Sequence, residues 1–148
     1  MSIKSQEKNM RCLALLLSRD LGYLCGEKEC GPNGDKRTFL NVGKTFLRAL
    51  SKDLGLRDVK IVSNPGGIAV SGECTLIGMW NSSGIYIKIG QILNGKTVLY
   101  RTVRNVKDYT GGNNNYLTCA DLKQLSYDQL LSKFLAFRKE EVCYERAA

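Results

Sequence analysis

The stretch "IYIKIGQILNGKTVLYRTVRN", Ile85 to Asn105, decides the fold. Its first half alternates, with Ile85, Ile87 and Ile89 on one side of an extended chain and Tyr86 and Lys88 on the other. Asn94-Gly95 follows, the dipeptide most suited to a tight hairpin because both residues accept left-handed backbone. "KTVLYRTVRN" (96–105) then reads as the returning strand. A two-residue loop would pair Leu93 with Lys96, Ile89 with Tyr100, Lys88 with Arg101 and Ile87 with Thr102. Ile85, Ile87, Ile89, Val98 and Tyr100 then form the core side, and Tyr86, Lys88, Leu99, Arg101 and Val103 the other.

Working upstream, "DVKIVS" (58–63) is strand-like and runs into "NPGG", where Pro65 and Gly66 suit the two central positions of a type II turn. "IAVSGECTLIGMW" (68–80) alternates with Ile68, Val70, Cys74, Leu76 and Trp80 on one face, and "NSSG" (81–84) turns the chain again. Three hairpins in series predict a four-stranded antiparallel meander. Two helices are predicted before it. One covers about 5–21, with Leu13, Leu16 and Leu17 as its stripe and Gly22 as its stop. The other covers about 40–54, with Val42, Phe46, Leu47, Leu50 and Leu54 at helical spacing and Gly55 as its stop. Between them "LCGEKECGPNGDK" reads as loop. After the meander, Thr118 suits the N-cap of a short helix. "SYDQ" (126–129) is a capping box for a last helix to about Glu141, which buries Leu130, Leu131, Phe134 and Leu135. The order α-α-β-β-β-β-α-α over residues 1–148 predicts a single α+β domain, a four-stranded meander with two helices at each end.

Composition narrows the chemistry. With 22 Lys+Arg against 14 Asp+Glu the net charge is +8, which favours polyanionic partners, although lysine in excess also serves solubility alone. Histidine is absent, which removes any Ser-His or Cys-His nucleophile. Cys12 and Cys74 read as small core residues of a reducing compartment. Cys25 and Cys30 form the one close pair, and a four-residue spacer without a second clean pair is a poor zinc signature. "VGKT" (42–45) ends like a phosphate-binding loop. Position 38 is threonine where the motif needs glycine, and Gly43 falls inside a predicted helix, so close packing is the better reason for it. Glu27, Glu29, Glu140 and Glu141 read as solvated charges, and Glu73 is the sheet's own carboxylate. The expectation is a protein that is not an enzyme, with no cofactor and no metal. No signal peptide and no 18-residue apolar run is evident, so the expected location is cytoplasmic, with no membrane partner.

The candidate contacts are basic and aromatic. In the hairpin register above, Lys88 and Arg101 sit opposite each other, an arrangement that needs solvent, a carboxylate or a bound anion beside it. Lys44, Arg48 and Lys52, four residues apart, line one helix face, as a merely solvated face would too. Arg104 and Lys107 flank "KDYTGGNNNYLT" (107–118), where Tyr109 and Tyr116 are available to stack. Cations interleaved with aromatics are what single-stranded nucleic acid binding needs. Together with Tyr86 these are the predicted contact residues. The loop itself reads equally as connector or as contact segment.

Two segments, "NPGGIAVSGECTLIGMW" (64–80) and "YRTVRNVKDYTGGNNNYLT" (100–118), resemble small accessory proteins of phages and conjugative elements of Gram-positive bacteria. The resemblance spans about a quarter of the chain and carries no catalytic motif, so no functional residue transfers. Such gene neighbourhoods are rich in anti-restriction and anti-CRISPR inhibitors. The resemblance implies a non-catalytic anti-defence protein that blocks a nuclease effector or nucleoprotein, of Cas9 type, through a basic surface. The alternatives are a basic single-stranded nucleic-acid-binding protein of a mobile element and a small cysteine- or carboxylate-based enzyme.

Overall fold

The computed structural model describes residues 2–19, 34–66, 71–92, 95–108 and 112–147, with side chains as far as Arg138. Its elements are α1 (Ile3–Leu17), α2 (Asp35–Asp53), β1 (Arg57–Asn64), β2 (Glu73–Met79), β3 (Gly84–Gly90), β4 (Lys96–Val103), β5 (Asn115–Thr118), α3 (Cys119–Gln124) and α4 (Tyr127–Ala147). The five strands form one antiparallel sheet in the order β1-β2-β3-β4-β5. The α+β class is as expected, but the sheet has five strands where four were predicted.

The additional strand comes from the predicted loop. Asn115 to Thr118 pair with β4, Tyr100 facing Asn115 and Leu99 facing Tyr116. Only Leu117 of its four residues is buried, so the segment shows almost no apolar alternation. Gly112 makes the approach possible. A Cβ there would lie 2.6 Å from the Thr102 carbonyl oxygen, and its φ of 77° is one that glycine alone adopts freely. Thr118 ends the strand and caps α3 as predicted, accepting from the Asp121 N–H at 3.2 Å while Asp121 Oδ2 accepts from the Thr118 N–H at 2.8 Å. The second predicted capping box is also formed. Ser126 N–H donates to Gln129 Oε1 at 2.9 Å, and Gln129 N–H to Ser126 Oγ at 3.1 Å.

The β3–β4 register differs from the expected one by two residues. Ile89 faces Val98, Ile87 faces Tyr100, Tyr86 faces Arg101, and Lys88 faces Leu99. Lys88 and Arg101 are therefore not opposite each other. The ladder ends before the turn, and the Ile92 N–H donates to the Lys96 carbonyl at 3.0 Å, so the connection is longer than a two-residue loop. Leu93 and Asn94, and with them the predicted Leu93–Lys96 pair, lie outside the described residues. A slip of two preserves side-chain parity, and for that reason both faces keep their predicted membership.

Other boundaries move modestly. α1 runs Ile3–Leu17 against the predicted 5–21, and its stop at Gly22 lies outside the described residues. α2 starts five residues early because Lys36 and Phe39 extend the buried stripe one turn upstream. β2 starts at Glu73, and Ile68 and Val70 lie outside the described residues. β4 ends at Val103, so Arg104 falls in a turn. Gly66 has the positive φ, 63°, that the type II turn requires.

The larger of two buried clusters among the described residues lies between the sheet and the helices. The sheet contributes Cys74, Leu76, Ile85, Ile87, Ile89, Val98, Tyr100 and Leu117, and all four helices pack on that face. Gly43 of α2 meets β2 so closely that a Cβ would lie 2.7 Å from Cys74 Sγ, which bears out the packing reason for this glycine. Two polar clasps, one buried and one part-buried, tie the helices together. Gln6 Nε2 donates to the Phe46 carbonyl at 3.1 Å, and the Tyr127 hydroxyl donates to Asp53 Oδ2 at 2.5 Å. Arg11 caps the end of α3 by donating to the Leu122 and Leu125 carbonyls at 2.9 and 2.7 Å.

Candidate functional site

Alternation along the strands turns Glu73, Thr75, Ile77, Tyr86, Lys88, Leu99 and Arg101 away from the helices. At one end of this second face, Ile77, Met79 and Val103 are buried in a small cluster of their own, with Tyr86 and Val106 packed against it. The turn after β4 supplies that cover. Asp108 Oδ2 accepts from the Arg104 N–H at 3.1 Å, and Asn105 Oδ1 accepts from the Lys107 N–H at 2.8 Å. Arg101 belongs to this lid. It is only 6% exposed, its guanidinium lies 5.0 Å from the centroid of the Tyr86 ring, and it donates to the Asp108 carbonyl at 3.3 Å. Its charge holds the turn onto the sheet.

Among the described residues, no element is packed over the other end of the face. One row across the strands reads Val62, Thr75, Lys88, Leu99, Tyr116. Val62 and Tyr116 are exposed, and Lys88 and Leu99 are half-buried. Lys88 Nζ reaches Glu73 Oε2 at 3.1 Å, so a carboxylate accompanies it. Lys96 Nζ stands 4.3 Å from the centroid of the Tyr116 ring. Beyond Lys88 a cleft of about 380 Å3 is lined by Asn64, Ser71, Glu73, Lys88 and Gln91, with Gly72 and Gly90 in its wall.

The predicted contact residues therefore separate into two sets. Tyr86, Lys88, Arg101 and Tyr116 share the helix-free face of the sheet, and Arg104 and Lys107 are exposed on the turn beside it. Lys44, Arg48 and Lys52 are exposed on α2, in the layer on the sheet's other side. No single groove holds both sets. Tyr109 lies outside the described residues. Sequence reasoning missed Lys96, Lys60 and Val62. The last two were legible as the outward positions of an alternating strand, whereas Lys96 reaches Tyr116 only because β5 exists.

Cys12, Cys74 and Cys119 are free thiols. Burial pushes the Cys74 thiol above its ordinary range, opposed by its hydrogen bond to Ser63 and, more weakly, by the charge of Lys44. Burial raises Cys119 as well, so neither is poised as a thiolate. Among the described residues no three of Cys, Asp and Glu gather as metal ligands, and no helix is long and apolar enough to cross a membrane. Cys25 and Cys30 lie outside the described residues. Compared with protein-family models, curated proteins and solved structures, the chain matches none of them.

Proposed function

We propose that the chain is a non-catalytic binding protein that lays the open end of its helix-free sheet face on a nucleoprotein. The partner we infer is a nuclease effector of a host defence system, which the protein would block by occupancy. The observation that carries this reading is the row from Val62 to Tyr116. Apolar, aromatic and cationic groups share that row, and the Lys96 ammonium stands over an exposed ring. Such a surface suits a partner that offers both apolar patches and phosphates. The nuclease partner rests on the resemblance of residues 64–80 and 100–118 to mobile-element accessory proteins.

A second reading is direct binding of single-stranded nucleic acid, favoured by the Tyr116–Lys96 pair as a stacking platform. The separation of the α2 cations from the sheet cations ranks it second, because a strand tracking one groove would meet only half of them.

One experiment separates the two. A Cas9-type effector, with and without guide RNA, is captured on the immobilised protein, and labelled single-stranded DNA and RNA are titrated in parallel from low to physiological salt. Capture of the effector that weakens with Tyr116→Ala/Lys96→Ala supports the first reading. Binding of bare strands that falls steeply with salt supports the second. Binding of neither at low salt overturns both.

A further inference from the structure

β1 is an outer strand of the sheet, and among the described residues no backbone group outside β2 pairs with it. From Lys60 to Asn64 it is regular, and the irregularity between Arg57 and Lys60 is confined to its start. An open edge of this kind is a template for another strand. Helix α2 runs beside it in the opposite sense, since Leu54 to Leu56 join the end of one to the start of the other. Ser63 Oγ donates to the Leu40 carbonyl at 3.4 Å, which fixes the flank of α2 that meets the edge. At about 100° per residue, Arg37, Lys44 and Arg48 fall on that same flank, within about 80° of Leu40. A cleft of about 370 Å3 opens there, lined by Lys36, Arg37, Leu40, Asn41, Ser63 and Pro65.

Among the described residues the lining of this groove carries cations and no carboxylate, and the carboxylates of α2 and β1 are engaged elsewhere: Asp35 with Arg19, Asp53 with Tyr127, Asp58 with Arg57. On the far side of β1, Val62 stays exposed.

We propose that the outer edge of β1 and the adjoining flank of α2 dock an extended acidic segment of a partner protein, which adds to the sheet as a sixth strand. Main-chain hydrogen bonds to residues 60–64 supply the common attraction. Alternate side chains of the added strand point toward α2, where Arg37, Lys44 and Arg48 select carboxylates. The intervening ones lie beside Val62 and select apolar groups. This site meets the open sheet face only at Val62; its main-chain edge and its α2 cations lie outside that face, so it does not depend on that face's occupant.

The test is selection of ten-residue peptides from a random displayed library on the intact protein, followed by synthesis of the enriched ones. The expected peptides alternate acidic and apolar residues. They bind at least tenfold more weakly to Arg37→Glu/Lys44→Glu and protect from hydrogen exchange the alternate amides among residues 60–64 that point away from β2. Methylation of alternate peptide backbone nitrogens abolishes binding, while Tyr116→Ala/Lys96→Ala leaves it unchanged. Any of four results overturns the proposal: no enrichment; enriched peptides without acidic bias; binding indifferent to backbone methylation or to the α2 charges; or a dimer of the protein alone whose β1 amides are already protected, which would assign the edge to a second copy.

Discussion

Replacing Gly43 by alanine sets two effects of known sign against each other. Alanine is better than glycine in a helix interior by about 1 kcal/mol. The added methyl, however, would lie 2.7 Å from Cys74 Sγ and 3.2 Å from its Cβ. Cys74 has nowhere to go. It is fully buried, with its sulfur 3.5 Å from the Leu40 carbonyl and 3.8 Å from Ser63 Oγ. α2 must therefore move off β2, and overpacking of this kind costs about 1–3 kcal/mol. The net expectation is a destabilisation of about 0–2 kcal/mol, or up to about 4–8 °C in Tm at the sensitivity of a chain this size. Cys74→Ala removes the nearer of the two contacts. In that background Gly43→Ala should be neutral or stabilising by up to about 1 kcal/mol, as propensity alone dictates. The double-mutant cycle should then show a coupling of about 1–2 kcal/mol favouring the pair. Urea unfolding of the four proteins, compared through midpoints at a common slope, measures it. Additive substitutions, or full stabilisation by Gly43→Ala alone, would refute the packing argument. Nucleotide binding lost in Gly43→Ala would revive the phosphate-loop reading.

Arg101→Ala should destabilise the protein by about 1–3 kcal/mol, because it empties a buried site and frees the turn at Asp108, whereas Lys88→Ala should cost less than about 1 kcal/mol because its pair with Glu73 is a third exposed; thermal melts rank the two. Gly112→Ala should cost about 1–3 kcal/mol through its positive φ and its collision with the Thr102 backbone, and hydrogen exchange should show β5 opening first. Burial, then the hydrogen bond to Asp53, raises the pKa of the Tyr127 hydroxyl above the ordinary tyrosine value near about 10. Its stabilising contribution is thus complete below about pH 10 and declines by up to about 1.4 kcal/mol per pH unit above it. Between pH 9 and 11 the native protein should lose about 1 kcal/mol more than Tyr127→Phe, and equal losses in urea titrations would contradict the clasp.

The two kinds of legibility divide along physical lines. Face membership in the central strands follows from a period of two, so Ile85, Ile87, Ile89, Val98 and Tyr100 are core residues in either register. Helix caps depend on residues three apart in sequence, so Thr118 and Ser126 could be read locally, and the stripe of α2 could be read from its spacing. What opposes what across the sheet depends on the length of a turn. A register shift of two residues separated Lys88 from Arg101 and set Arg101 on Tyr86. β5 was illegible because four mostly exposed residues earn their strand from β4 and from the close approach of Gly112, both remote in their effect from the local pattern.

The sequence by itself determined that the chain alternates, caps and turns into an α+β protein rich in cations. Only the tertiary structure decided where those cations act. Helices packed on one face of the sheet divide Lys44, Arg48 and Lys52 from Lys88 and Lys96, and on the opposite face the turn after β4 buries Arg101 as a structural group. Charge is a property of composition. A site is a property of which charges share a surface, and that is set by contacts between residues distant in the chain.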